Sequence, residues 1–353
     1  MLNFALIGCG AIARRHADIL TSGELSNARL VAVCDTDLAR AESFAIKYNI
    51  RAFADPDQML RSGGIDVVTV LTPSGLHARN AIHAAAYVKA VVVEKPMALT
   101  LSDADRMIEA CDRHGARLFV VKQNRFNRPV VALRQALESG RLGKLVLGTI
   151  RVRWCRPQSY YDQASWRGTW AHDGGVLANQ ASHHIDLLEW MMGEIDSVTA
   201  MATQALAKIE AEDTAVAILR FRNGALGVVE ATTATRPRDL EGSLSILGER
   251  GSVEIGGFAA NELKTWNFAE AVPDDSTVFT DFGKNPDHSL GYGHVAYYKH
   301  VVDCLHEGKR QLVDGLEGRK SLELITAIYE SIETGREVQL RFSPKRCRLG
   351  QIG

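Results

Sequence analysis

No apolar run in this chain of 353 residues approaches the roughly 20 needed to cross a bilayer. A membrane-spanning role is therefore excluded from the expectations. Neither sign of charge is in surplus. The 41 Lys and Arg against 42 Asp and Glu leave a net charge of −1, which argues against nucleic acid or an anionic membrane surface as a partner. Paired cysteines are also missing. Cys9, Cys34, Cys111, Cys155, Cys304 and Cys347 are scattered and form no Cys-x-x-Cys motif, and several lie in apolar runs where Cys behaves as a small hydrophobe. A reducing compartment is expected. The N-terminus lacks the charged, apolar and small-residue series of a signal peptide and opens directly on an apolar strand, so a cytoplasmic protein is expected. There is no internal repeat and no low-complexity stretch.

What remains is a chain 46% hydrophobic, long enough for about two domains. Over residues 1–122, apolar runs at 2–7, 29–34, 66–71, 90–94 and 117–121 alternate with helical stretches near 12–20, 36–47, 76–86 and 102–113. Ser102 and Asp105 resemble a capping box at the start of the last stretch. Continuous apolar strands separated by helices predict a doubly wound parallel sheet. Over 123–353 the pattern changes. A helix near 129–139 precedes strands near 145–155, 197–206, 213–222, 225–235, 241–247 and 252–256, with the hairpin signal Asn223-Gly224 between two of them. A short helix is expected from His183 to Gly193, and two closing helices near 292–307 and 316–334. The fold class is α/β: a Rossmann-type domain, then an α+β domain carrying an open, mostly antiparallel sheet. The closing helices have the option of packing back on the first domain. A sheet with one face on helices leaves the other to a second subunit or to solvent, so a homodimer or homotetramer is expected.

The turn Gly8-Cys9-Gly10-Ala11-Ile12-Ala13 follows the first strand and opens the first helix. Gly8 permits a tight turn, Gly10 lets a pyrophosphate approach the backbone, and Ala13 lets helix and strand pack closely. The N-terminus of the helix offers N–H donors and a positive dipole end. Such spacing also occurs in ordinary strand-to-helix turns, but here an acid, Asp35, closes the next strand at roughly the expected twenty-residue distance. A carboxylate there accepts from both ribose hydroxyls of NAD and repels a 2′-phosphate. No Arg stands at 36–39, although Arg40 follows. NAD is favoured over NADP.

Ligands of doubly wound sheets bind beyond the carboxyl ends of the strands. Thr72, Pro73 and His77 follow the third strand, and Glu94-Lys95-Pro96 follow the fourth. An ammonium at Lys95 could stabilise an alkoxide as hydride leaves; a solvated Glu–Lys pair explains the same residues. Gln123 and Arg125 end the last parallel strand and should face the crevice. In the second half, Asn179, His183 and Asp186 share a helix face, an amide, an imidazole and a carboxylate. A metal-free alcohol dehydrogenase needs a general base that titrates near the working pH, and a histidine suits. His183 and His184 point about 100° apart and cannot readily chelate one ion, so no metal is expected. His184 equally fits a helix-start histidine bonded to backbone. Tyr160, Tyr161, Trp166, Arg167 and Trp170 offer ring faces and fork donors for a sugar, or filling for a domain interface. Glu210-Ala211-Glu212-Asp213 reads as solvated or strand-capping.

Taken together, Gly8 to Ala13, Thr72-Pro73 with His77, Glu94-Lys95-Pro96, Trp166-Arg167, and Gly174-Gly175 leading to His183-x-x-Asp186 resemble the Gfo/Idh/MocA family. That family is named after glucose–fructose oxidoreductase, inositol dehydrogenase and a rhizopine-catabolism protein. The resemblance covers nearly the whole chain. It implies NAD(P)-dependent oxidation or reduction of a sugar or cyclitol hydroxyl, with Lys95 and His183 carrying the proton chemistry, and often a paired subunit. Two departures stand out. Many relatives have Asp four residues before the histidine, where this chain has Asn179, so a His–Asp relay does not follow. Ser74 replaces an Asn common after Thr-Pro. Within the family, the run from Tyr160 through Leu188 is most similar to nucleotide-sugar 3-dehydrogenases of surface-polysaccharide synthesis, which act on UDP-N-acetylglucosaminuronate. An inositol or free-sugar dehydrogenase and a non-catalytic NAD(H) sensor are the alternatives.

Overall fold

In the computed structural model, residues 1–284, 293–340 and 349–350 are described; Cys347 lies outside them. The chain divides into two units, one of Met1–Val121 with His294–Arg319, the other of the described residues in Lys122–Gly293 and Lys320–Gly353.

The first unit is a parallel sheet wrapped by helices. Its elements are β1 (Leu2–Ile7), α1 (Ala11–Thr21), β2 (Ala28–Cys34), α2 (Leu38–Tyr48), β3 (Arg51–Phe53), α3 (Pro56–Arg61), β4 (Val67–Val70), α4 (His77–Ala85), β5 (Ala90–Val93), α5 (Leu101–His114) and β6 (Arg117–Val120). The strand order is β3-β2-β1-β4-β5-β6, and every pair is parallel. Val67, Val68, Val91, Val92 and Val93 are fully buried, as both covered faces of such a sheet require. The sequence pattern missed β3 and α3, which are too short to show a period. It also misplaced the cap of α5: Thr100, not Ser102, accepts the hydrogen bond, from the Asp103 N–H at 3.1 Å.

Residues 294–319 complete this unit. Arg117 donates to the Cys304 and Lys309 carbonyls, and Val120 N–H donates to Val313 O at 3.3 Å. Arg319 is held by Asp105.

The second unit is built on α6 (Arg128–Glu138), β7 (Leu145–Arg153), α7 (Gln158–Tyr161), α8 (Ser182–Met192), β8 (Ile195–Thr203), β9 (Thr214–Phe221), β10 (Leu226–Thr232), β11 (Glu241–Gly248), β12 (Gly251–Gly256), β13 (Glu262–Phe268) and α9 (Asp275–Phe282). The closing segments are α10 (Gly293–Glu307), which lies almost wholly in the first unit, α11 (Gly315–Thr334), which the division cuts, and β14 (Val338–Gln339). The eight-stranded sheet runs β13-β12-β11-β7-β10-β9-β8-β14. It is antiparallel except for β7 beside β10. Asn223-Gly224 forms the β9–β10 turn. One face carries α8, packed on β7 and β11. Gly148 makes that approach possible, since a Cβ there would lie 2.7 Å from Leu188 and Met192. The opposite face leaves Met201 74% and Ile218 62% exposed, with Val216 and Leu226 beside them.

One backbone position governs the first sheet. Gly8 has φ +101°, and a Cβ on it would stand 2.8 Å from the Leu71 carbonyl at the end of β4. A Cβ on Gly10 would meet nothing within 4 Å. Gly8→Ala should therefore lower unfolding free energy by at least the ~1–2 kcal/mol of left-handed strain, while Gly10→Ala should leave the denaturation midpoint nearly unchanged. Equal midpoints for the two variants in guanidinium titrations would refute this account.

Candidate active site

The dinucleotide half lies at the carboxyl ends of β1, β2, β4 and β5. Gly10 caps α1 with no side-chain hydrogen bond to the first turn, and that turn carries Ala11, Ile12 and Ala13. The open space over Gly10 is room for a phosphate at the positive end of the helix. Asp35 links this turn to β2. Its Oδ2 accepts the Cys9 N–H at 2.8 Å, its Oδ1 accepts the Asp37 N–H at 2.9 Å, and Arg40 stands 3.7 Å away. The carboxylate is thus oriented by two backbone donors and keeps further lone pairs for ribose hydroxyls. These residues fit a bound NAD.

Thr72 and Pro73 start the β4–α4 loop. His77 is 1% exposed, and its ring sits between two backbone carbonyls, Pro96 O at 2.8 Å from Nδ1 and Thr72 O at 2.9 Å from Nε2. It clips the loops after β4 and β5 together, a structural role that the sequence pattern could not show. Burial lowers its pKa. Glu94 is buried and accepts the N–H of Lys95 on Oε2 at 2.9 Å.

The second unit carries the other expected residues. His183 stands in the first turn of α8, with its Nε2 3.0 Å from the Gln123 amide nitrogen. Gln123 was expected against the cofactor; here its side chain meets the imidazole. Asn179 donates its amide to Asp173, whose other oxygen accepts the Gly168 N–H at 2.8 Å. A carboxylate thus lies beside the position where many relatives were expected to carry one, supplied from six residues upstream. Sequence reasoning missed Asp173; its only signal was a carboxylate in the Gly-rich run before Gly174-Gly175.

Asp186 and Arg125, both 2% exposed, form a bidentate pair at 2.8 and 2.9 Å. Lys122 adds a third charge 3.4 Å from Asp186 and bonds Ser321 at 2.5 Å. Arg125 also lies 4.8 Å over the Trp190 ring. Arg125 was expected to bind substrate, yet its fork is closed on Asp186 and it anchors α8. Breaking such a buried pair costs about 3–5 kcal/mol. His184 is fully buried against Trp154, and burial lowers its pKa to about 4, so it stays neutral in the core. His183, by contrast, is only half-buried.

The aromatic loop is split in the same way. Tyr161 is buried, its hydroxyl 2.9 Å from Thr233. Tyr160 and Trp166 remain half-buried, with Arg167 between them at 4.3 and 4.8 Å and bonded to the Tyr160 hydroxyl at 2.6 Å. Glu212 and Asp213, read as solvated or strand-capping, are 5% and 1% exposed. Glu212 takes the Leu177 N–H at 3.0 Å and the Tyr329 hydroxyl at 2.9 Å, and Gly175 packs so tightly on it that a Cβ would overlap at 2.2 Å. That contact shapes the segment entering Asn179. Burial pushes the Glu212 carboxyl up to about 7.

A parallel sheet in the order 3-2-1-4-5-6, a Gly turn under a capless helix and an acid oriented at the end of β2 define an NAD-binding oxidoreductase. The chain belongs to the Gfo/Idh/MocA oxidoreductase family: residues 2–122 match its NAD-binding Rossmann fold and residues 134–340 its C-terminal alpha/beta domain. Among solved structures it is similar to the WlbA dehydrogenase from Bordetella pertussis in complex with NADH and UDP-GlcNAcA, at 43% identity and TM-score 0.89, covering 96% of this chain and 99% of that one. The WlbA dehydrogenase from Chromobacterium violaceum, also in complex with NADH and UDP-GlcNAcA, is 41% identical with TM-score 0.90 and 96% of each chain covered. Among curated proteins, the D-apiose dehydrogenase of Rhizobium rhizogenes is 28% identical over 349 residues, 96% of this chain and 97% of the relative. The myo-inositol 2-dehydrogenase of Thermotoga maritima is 27% identical over 354 residues, 96% of this chain and 98% of the relative. No helix among the described residues is long and apolar enough to cross a membrane.

Asp35→Ser keeps an acceptor for the Cys9 N–H but removes the charge facing Arg40. In fluorescence titrations NADH affinity should fall about tenfold, equivalent to ~1.4 kcal/mol, and NADPH affinity should rise. An unaltered NADH-to-NADPH ratio would remove Asp35 from cofactor choice.

Proposed function

We propose that this enzyme oxidises the C3 hydroxyl of a UDP-N-acetylhexosaminuronate. The observation that carries the reading is the 43% identity, across 96% of the chain, to a dehydrogenase solved with NADH and UDP-GlcNAcA. Gly8 to Ala13, Asp35, Thr72 and Pro73 would hold NAD, which when bound supplies the hydride acceptor. In that oxidation His183 would accept the proton of the substrate O–H as the alcohol becomes a ketone. Lys95 supplies an ammonium that stabilises the alkoxide character of the oxygen as the C–H bond weakens. Gln123 fixes the His183 ring, and the Asn179–Asp173 bond fixes the turn before it. Tyr160, Trp166 and Arg167 offer ring faces and donors to the sugar nucleotide. An inositol or free-sugar substrate is the rival reading, motivated by the myo-inositol 2-dehydrogenase relative.

The experiment is a panel of UDP-sugars, free sugars and inositols read by NADH absorbance, run on the native enzyme and on Lys95→Met. UDP-GlcNAcA should support turnover far above myo-inositol. Lys95→Met should bind NADH within about threefold of normal and lose at least about 100-fold in kcat, the scale of positioned acid–base and electrostatic groups. Turnover with inositol alone, or an active Lys95→Met, would overturn the reading.

We further propose that the enzyme assembles as a homo-oligomer through the open face of the second sheet. Met201, Val216, Ile218 and Leu226 form a contiguous apolar patch there, flanked by Arg151 and Arg153 paired with Glu230, Glu241 and Glu254. A charge in the middle of a buried interface is costly. Ile218→Glu should give a smaller species by light scattering with secondary structure unchanged; a monomeric parent protein would dismiss this interface.

A further inference from the structure

α1 turns Ala13, His16, Ala17 and Leu20 inward. His16 is the odd member, an imidazole with no exposure at all on an otherwise apolar face. Its two nitrogens are both engaged. Nδ1 lies 2.6 Å from the Tyr298 hydroxyl and Nε2 lies 3.0 Å from Glu94 Oε1. Tyr298 in turn stands 3.4 Å from Thr69 Oγ1 on β4. The remaining oxygen of Glu94 accepts the N–H of Lys95. A continuous chain of contacts therefore runs from α10 through α1 to the backbone nitrogen of Lys95, all within the first unit.

We propose that His16 is a positioning residue for Lys95, acting through the Glu94 carboxylate. The inference rests on the reading above that Lys95 acts on the substrate hydroxyl. A carboxylate buried at a strand end is costly unless each oxygen is satisfied, and apolar residues would fill the space more cheaply if packing were the only need. Here one oxygen is oriented by His16 so that the other meets the Lys95 N–H, which fixes the backbone from which the ammonium projects. With a phenol donating to Nδ1, the imidazole presents Nε2–H to Glu94. Tyr297, Tyr298 and His294 from α10, His16 and Arg15 from α1, His77 from α4, and Lys95 are titratable groups about this carboxylate. His294 packs edge-on to His16, centroids 5.6 Å apart. His16, Glu94 and His294 bring one ligand atom each within 4.8 Å of one another, a donor set able to take a divalent ion. The direct His16–Glu94 bond, and the positive charges of Lys95 and Arg15 that bear on His294, favour the hydrogen-bonded arrangement.

The test uses the full-length enzyme with NAD and UDP-GlcNAcA. His16→Leu should lower kcat about 10- to 100-fold, the scale known for hydrogen-bond partners that orient metal ligands, with sugar KM and NADH affinity within about threefold. His16→Gln retains an N–H toward Glu94 and should recover most of that loss. Tyr298→Phe keeps the ring and should show a smaller kcat effect of the same kind. In a Lys95→Met background, His16→Leu should add nothing. Amine labelling mapped by mass spectrometry needs no substrate: in His16→Leu, Lys95 should react several-fold faster than in the parent. Equal labelling of Lys95 in the two proteins would overturn the proposal whatever the substrate proves to be. So would losses in kcat and NADH affinity of equal size, a further loss on top of Lys95→Met, or one equivalent of divalent metal in the purified enzyme. An active Lys95→Met instead refutes the parent reading, so the two failures are distinguishable.

Discussion

The close approach of Gly8 to Leu71 is the constraint on which the dinucleotide half depends. β1 lies between β2 and β4, so the chain leaves β1 toward one side of the sheet and β4 toward the other. The ends of these two strands must separate within two residues, and the separation is the crevice. Only a residue without a Cβ fits at Gly8, because a side chain would occupy the Leu71 carbonyl. Once that turn is made, Cys9 presents its N–H to Asp35, and α1 starts at Ala11 with its first turn open to a ligand. The Gly turn and Asp35, proposed to hold the phosphates and the ribose, are thus one mechanical piece. His77 extends it by joining the loops after β4 and β5 through two carbonyls.

In the second unit the comparable piece is the buried Asp186–Arg125–Lys122 cluster. Asp186 lies one helical turn after His183, so the cluster fixes the rotation of α8 and with it the direction of the imidazole. A salt bridge of this kind contributes little net stability but is costly to break, which makes it suited to holding orientation. The tight contact of Gly175 on Glu212 does the same for the segment leading into Asn179.

Much of this was legible before any coordinates. The parallel strands, the Gly turn, Asp35 and the Asn223-Gly224 hairpin follow from period, glycine placement and turn chemistry, which are local. β3, of three residues, and β14, of two, carry too few residues for a period to show, and their pairing is decided by neighbours far along the chain. The site residues divide on the same line. Lys95 and His183 stand out by residue type at a strand end and a helix start. The burial of Arg125, Tyr161, His77 and His184 was not visible, because their partners Asp186, Thr233, the Pro96 carbonyl and the packing against Trp154 lie 61, 72, 19 and 30 residues away. His16 did leave a trace, as a polar residue at a position of α1 that the helical period turns inward.

The buried carboxylates show why composition alone could not assign roles to acids. Burial raises the pKa of each. In Glu94 that effect is overcome, chiefly by the His16 hydrogen bond, and the group falls to about 2. In Glu189 burial is reinforced by Asp186 and only partly opposed by Arg125 and Lys122, so the group rises to about 8. Glu212 lies between them, at about 7. The same side chain is therefore held toward its anionic form at the end of β5, where an N–H beside the proposed reacting group requires a fixed acceptor, and is pushed toward its protonated form on α8, where Asp186 already supplies a negative charge to Arg125 and Lys122. What distinguishes them is the neighbour each position supplies: His16 donates a hydrogen bond to Glu94, whereas Asp186 sets a like charge beside Glu189.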